Sequence, residues 1–128
     1  MKKENSKNKR EAAWTSKNMD ILPPVAWEVK LSQPAYPDRI YYKQFAKHQI
    51  SRLLQCKHQR FTYKIVDVGA AQKPFDGVTL EKVPSWCVLV YEPNAYAVDI
   101  DAFYYFCMRE GNKSVKESDA ALLGKKIK

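Results

Sequence analysis

The chain has 128 residues, a mass of 14.9 kDa and a formal net charge of +8, from 22 Lys plus Arg against 14 Asp plus Glu. That length suits one ordinary domain and excludes a separate second core. With 45% hydrophobic and 28% charged residues the composition is globular, which excludes wholesale disorder, and apolar runs no longer than a strand exclude a bilayer span.

Residues 1–10 carry Lys2, Lys3, Lys7, Lys9 and Arg10 against Glu4 alone, and read as a flexible basic arm ahead of one domain over 11–128. They lack the apolar stretch of a secretory signal. Cys56, Cys87 and Cys107 read as reduced thiols, so a cytoplasmic setting is expected. Without a Cys-x-x-Cys pair, and with only two histidines, a zinc site is not expected. A short helix is predicted from about Lys9 to Asn18, with Ala12, Ala13 and Trp14 on its apolar side, ended by Pro23-Pro24. Val25 to Leu31 alternates apolar with other residues and reads as a strand, and Pro34 and Pro37 mark the loop after it.

From Asp38 or Tyr41 to His58 the pattern is helical, with Asp38 as a candidate N-cap. Phe45, Ile50, Leu53, Leu54 and Cys56 form its apolar stripe. The opposite face holds Lys43, Lys47, Arg52 and Lys57 with no acid between them; it reads either as a phosphate-contacting surface or as a solvated basic face. Phe61 to Val68 and Val78 to Leu80 read as strands joined by residues 69–77. Trp86 to Tyr91 has the valine-rich pattern of a buried central strand. Glu92-Pro93-Asn94 turns it into a strand over Tyr96 to Ile100, and Asp101 is positioned to cap an aromatic helix, Ala102 to Arg109. Ser114-Val115-Lys116-Glu117 matches a capping box opening a last helix, which Gly124 ends before a basic tail, Lys125 to Lys128. The order predicts a small α/β (α+β) domain with a mixed sheet.

Chemistry concentrates at three places. In a strand, positions i and i+2 share a side, so Glu28 and Lys30 project together while Trp27, Val29 and Leu31 face the other way. A carboxylate and an ammonium buried side by side must be paired or hold an ion. That pair suits metal-assisted phosphodiester cleavage, with the acid on Mg²⁺ and the amine at the attacking water or the phosphate. An edge strand with its polar face in water is the other reading. Lys73-Pro74-Phe75-Asp76-Gly77 offers a second carboxylate where a loop enters a strand, or a turn aspartate. Gln49, beside Lys47 and His48, borders the apolar stripe; at such a border a glutamine is expected to be hydrogen-bonded to something specific.

Together Glu28-x-Lys30, His48-Gln49 and Lys73-Pro74-Phe75-Asp76 resemble the PD-(D/E)XK nuclease superfamily, and within it proteins related to RecU-type Holliday junction resolvases. Tyr63-Lys64-Ile65-Val66-Asp67 adds to the resemblance, which extends over about residues 10 to 125. It implies a single restriction-endonuclease-like domain, a central mixed β-sheet flanked by helices, and a metal-dependent DNA nuclease site. By that analogy Glu28, Asp76 and the Val29 backbone carbonyl hold Mg²⁺ (or Mn²⁺), Lys30 acts on the water and the scissile phosphate, and Gln49 supports the site. The implied substrate is branched DNA, above all a four-way junction, cut by a homodimer without any membrane partner. The usual order puts the Asp before Glu-x-Lys, whereas Asp76 follows it here. This implies a rearranged strand order, with the Phe61 to Leu80 hairpin inserted beside the Glu28 strand. Asp67 is the alternative acid, and Glu11 on the first helix is another. Lys43, Lys47, Arg52, Lys57, Arg60 and Lys73 are the expected DNA contacts, in keeping with the positive net charge. Trp14, Tyr41, Tyr42, Phe61 and Tyr63 read as core aromatics or as platforms for unpaired bases.

Overall fold

The computed structural model describes residues 2–64 and 77–128. Asp67, Lys73 and Asp76, with most of the connection that carries them, lie outside the described residues.

Four strands form a central mixed sheet: β1 (Ala26–Leu31), β5 (Ser85–Tyr91), β6 (Asn94–Asp99) and β8 (Lys125–Lys126), in the order β1-β5-β6-β8. β1 runs parallel to β5, and β6 is antiparallel to both β5 and β8. A parallel pair needs a long crossover. Here it contains β2 (Arg39–Tyr41), α2 (Lys47–His58) and the β3–β4 hairpin (Arg60–Lys64, Gly77–Glu81). Helix α1 (Lys2–Lys17) precedes β1. After β6 come α3 (Ile100–Tyr104), a π-helical turn (Tyr105–Arg109), β7 (Ser114–Lys116), which pairs with β2, and α4 (Glu117–Leu123). The domain is mixed α+β, with helices on both faces of the sheet.

β5 explains the layering. Cys87, Leu89 and Tyr91 point into one cluster with Ile50, Leu53 and Cys56 of α2 and Ile100 and Phe103 of α3. Val88 and Val90 point the other way, into a cluster with Trp14 of α1 and Val29 and Leu31 of β1. A strand buried on both faces has no polar positions, which is why Trp86 to Tyr91 reads as continuous apolar sequence. Each fully buried Val, Leu, Ile or Phe side chain in these layers contributes about 1.5–3 kcal/mol. Cys56, Cys87 and Cys107 are buried. Burial pushes the Cys107 thiol up to about 12 and the Cys87 thiol well above its ordinary range, so these two act as small apolar groups rather than nucleophiles.

Several boundaries differ from the sequence reading. The backbone is helical from Lys2, so the segment expected as an arm belongs to α1. The helix expected from Asp38 starts only at Lys47. Before it, Ile40 is fully buried opposite Val115 in the β2–β7 ladder, and Tyr42–Gln44 form a 3₁₀ turn. Burial of Ile40 across the ladder outweighs the local helical periodicity. Asp38 instead pairs with Arg39 at 3.4 Å, and its carbonyl accepts from the Glu117 N–H. The cap of α3 is Asp99 rather than Asp101, because Asp99 Oδ2 accepts from the Asp101 and Ala102 N–H groups. The last helix opens two residues later than its sequence signature: Ser114 is in β7, and Asp119 accepts from the Lys116 N–H. Lys125 and Lys126, expected as a tail, add a strand to the sheet. Gly124 lets them do so, since a Cβ there would sit 2.3 Å from the Ala97 carbonyl oxygen. Among the described residues, β3 and β4 pair only with each other, not with β1 as the rearranged order requires. Phe61 and Leu80 pack against the α2-side cluster, and the Val83 N–H donates to Cys56 of α2, so the hairpin is held at the end of that helix.

Candidate active site at the open edge of the sheet

β1 is an edge strand, and this decides what its two charged residues can reach. Glu28 and Lys30 leave it on the side of α2, as the alternation predicts, while Trp27, Val29 and Leu31 pack toward α1. Lys30 is only 5% exposed. Its Nζ passes 5.7 Å from the centre of the Phe45 ring and ends 3.5 Å from Glu11 Oε2 on α1. Were β1 an inner strand, a neighbouring strand would block that path around the edge.

Glu28 is gripped from α2. Arg52 forms an ion pair with its Oε1, and Gln49 Nε2 donates to its Oε2 at 3.4 Å. The Gln49 Oε1 accepts from the Ala46 N–H at 2.9 Å, one half of a capping box at the start of α2. The amide is therefore oriented by the helix terminus, and the orientation aims its N–H₂ at the carboxylate. This accounts for the border glutamine singled out in the sequence.

Backbone direction adds a further oxygen. The Ser32 N–H donates inward to Val90 of β5, whereas the Leu31 carbonyl accepts from Gln44 Nε2 at 3.0 Å, outside the sheet. Alternate residues of a strand point their carbonyls the same way, so Val29 presents its carbonyl to the open edge. Glu11, Glu28 and Val29 all line one cleft of about 450 Å³ between α1 and β1, with Ala12, Thr15, Ser16, Met19 and Trp27. Two carboxylates and a carbonyl are hard oxygen donors and fit Mg²⁺ or Mn²⁺, since Mg²⁺ takes one or two protein carboxylates and completes its shell with water and substrate oxygens. No group of three or more His, Cys, Asp and Glu that could hold a metal occurs among the described residues, so this donor set is a sparse one.

The structure thus brings together Glu28, Lys30, Gln49 and Glu11, with Val29 at the same edge. Of the acids beside Glu28, Glu11 is the described one; Asp76 and Asp67 lie outside the described residues. The basic residues separate into two groups. Lys43, Lys47 and Arg60 are exposed, and Lys43 Nζ lies 5.6 Å from the Tyr41 ring centre. Arg52 and Lys57 differ from the uniformly free face read from the sequence: Arg52 is bound to Glu28, and Lys57 to Asp99 and Asp101, both at 2.6 Å. No acid interrupts them within α2, but acids from β1, β6 and α3 reach across to them. The aromatics serve mainly in packing: Trp14 is buried, Tyr42 stacks on Phe103 at 5.8 Å, and Tyr41 meets Tyr36 edge-on.

Two participants escaped the sequence reading. Gln44 is buried and ties the end of β1 to the 3₁₀ turn, accepting from the Tyr41 N–H and donating to Leu31. Its signal was available, a glutamine next to an aromatic at the start of an apolar stripe. The pairing of Arg52 with Glu28 had no such signal, because 24 residues separate them.

Compared with protein-family models, curated proteins and solved structures, the chain matches none. No helix among the described residues is long and apolar enough to cross a membrane.

Proposed function

We propose that this protein is a Mg²⁺-dependent, structure-selective DNA endonuclease that hydrolyses phosphodiester bonds in branched DNA, in the manner of a junction resolvase. The observation that carries the reading is that buried Lys30 pairs with Glu11, which lines one sheet-edge cleft together with Glu28. Burying an ammonium against an acid is costly, and a folded chain retains such an arrangement most readily where it has a use. A bound Mg²⁺ supplies charge neutralisation at the phosphate and a water of lowered pKa. The protein's own groups do the rest. Glu28, Glu11 and the Val29 carbonyl provide oxygen donors on the cleft wall. Lys30, held by Glu11, presents a fixed positive charge beside them to orient the attacking water and to stabilise the charge that builds up on the phosphate. Gln49 fixes the Glu28 carboxylate. In the reaction the water oxygen joins phosphorus and one ester P–O bond breaks. The leaving oxygen takes one proton and the second passes to solvent.

Exposed Lys43, Lys47, Arg60, Lys125 and Lys126 supply backbone contacts that read shape rather than sequence. A four-way junction carries symmetry-related strands, so paired cuts call for a homodimer.

The test is cleavage of a synthetic four-way junction by the purified full chain, against a linear duplex of the same sequence. Cutting of the junction in Mg²⁺ or Mn²⁺ and not in EDTA is expected. Lys30→Ala is expected to lower the rate about 10³-fold while junction affinity stays within about threefold. A protein that cuts neither junctions nor flaps with either metal is not a nuclease. Salt-sensitive binding without cutting would then support a DNA-binding protein that keeps the fold, a reading favoured by the occupation of Glu28 by Arg52.

A further inference from the structure

Arg52 is the one group whose position a simple nuclease reading does not require. Both oxygens of Glu28 are engaged, Oε1 by the Arg52 guanidinium and Oε2 by the Gln49 amide. Gln49 is anchored to the α2 terminus through Ala46 and cannot leave without uncapping the helix. The Arg52 side chain ends a flexible stem and keeps 20% of its surface exposed. A cation that binds Glu28 shares that carboxylate with the guanidinium, and two positive charges on one carboxylate repel. The guanidinium therefore stands where a metal's charge would stand, on the donor that the cleft offers.

We propose that Arg52 is an exchangeable placeholder: it neutralises Glu28 while no divalent cation is bound, and on cation binding it moves to a DNA phosphate. This rests on the nuclease reading of the cleft. The displaced side chain stays close to substrate, since Arg52 lies one helical turn from exposed His48, on the helix whose first turn carries exposed Lys47. A guanidinium suits both partners, because its planar fork binds a carboxylate or a phosphate equally well. Arg52 is thus a positioning residue for Glu28 in one state and a substrate contact in the other. Cation loading and tight DNA binding become mutually reinforcing.

The experiment compares the full-length chain with Arg52→Gln in two assays. Calorimetry with Mn²⁺ alone is expected to give at least about tenfold tighter binding to the variant, which has no guanidinium to displace. Junction binding, read by fluorescence anisotropy as a function of salt, is expected to show equal salt slopes for the two proteins in EDTA. In Ca²⁺ the slope of the unmutated protein is expected to be the steeper by about 0.9, the signature of one extra phosphate contact. A third readout follows the unmutated protein and does not depend on Arg52→Gln folding. The Arg52 Nε–H resonance, assigned by its absence in Arg52→Lys, is expected to move on titration with Mg²⁺. Equal Mn²⁺ affinities, a slope difference already present in EDTA, or an Arg52 resonance that ignores a bound cation would each overturn the exchange and leave the nuclease reading standing. Failure of the unmutated protein and of the variant to bind Mn²⁺ would overturn both.

Discussion

Helix α2 has an acid–base cluster at each end, and the two differ in burial. Near its start, Glu28, Arg52 and Gln49 meet beside Lys30 and Glu11, whose side chains are 6% and 15% exposed, along an open cleft. At its end, Lys57 and His58 meet Asp99 and Asp101 in a cluster whose Lys57 and Asp101 side chains are 28% and 42% exposed. The second cluster has an ordinary structural explanation. Asp99 caps α3, and Lys57 and His58 answer the negative end of the α2 dipole by pairing with acids across the gap. Solvent screens it, although His58 also lines an open cleft of about 550 Å³ beside α2, so its exposure is what sets it apart. The first cluster buries an ammonium at a sheet edge that leads into a cleft, a position packing alone does not favour. Clustered charge by itself therefore says little; burial together with access to a cleft separates a candidate site from a solvated ion-pair network.

The largest contrast is expected between Lys30→Ala and Asp101→Asn. Junction cleavage should fall about 10³-fold in the first, from loss of a preorganised positive charge, and stay within about twofold in the second. Comparable losses in both variants, measured as single-turnover rates, would mean that the two clusters belong to one functional unit. Gln49→Ala comes next. Loss of the carboxylate's orienting partner should slow cleavage about 10-fold, and loss of the cap should lower the melting temperature by about 4 °C, for roughly 1 kcal/mol of stability. A variant that melts lower but cuts at full rate would reduce Gln49 to a helix cap.

The smallest effect concerns acid stability. Burial raises the Asp101 carboxyl, but hydrogen bonds from His58 and Lys57 outweigh it and hold the group below its ordinary range. A carboxyl depressed in the folded state stabilises the fold above the unfolded value near 3.9, and that contribution disappears as pH falls through the folded value. Asp101→Asn should therefore flatten the acid limb of the stability curve below about pH 4. The difference is only a few tenths of a kcal/mol once screening is counted, and should nearly vanish at neutral pH in high salt. A change confined to pH above 6, read by urea titration, would mean that the Asp101 carboxyl is not the group responsible.

Local pattern carried much of this architecture. The strand over Val25 to Leu31, the doubly buried Trp86 to Tyr91 and the helix ended by Gly124 are legible because period and composition are local properties. Glu28-x-Lys30 was legible as a same-side pair for the same reason. The helix predicted from Asp38 was misplaced because burial of Ile40 against Val115, far along the chain, overrode a local helical pattern. The hairpin was misplaced because nothing between Phe61 and Leu80 encodes which edge it joins.

What the sequence by itself determined is the alphabet of the site: a carboxylate and an ammonium on one side of a strand, a glutamine at a helix border, and a surplus of positive charge. What only the tertiary structure decided is who meets whom. β1 lies at the sheet edge, so Lys30 reaches Glu11 around it, and α2 crosses so that Arg52 closes on Glu28. The reason is physical. Side-chain direction follows from backbone period over two or four residues, whereas partners 19 to 24 positions apart are chosen by the packing of whole layers, which no short stretch of chain contains.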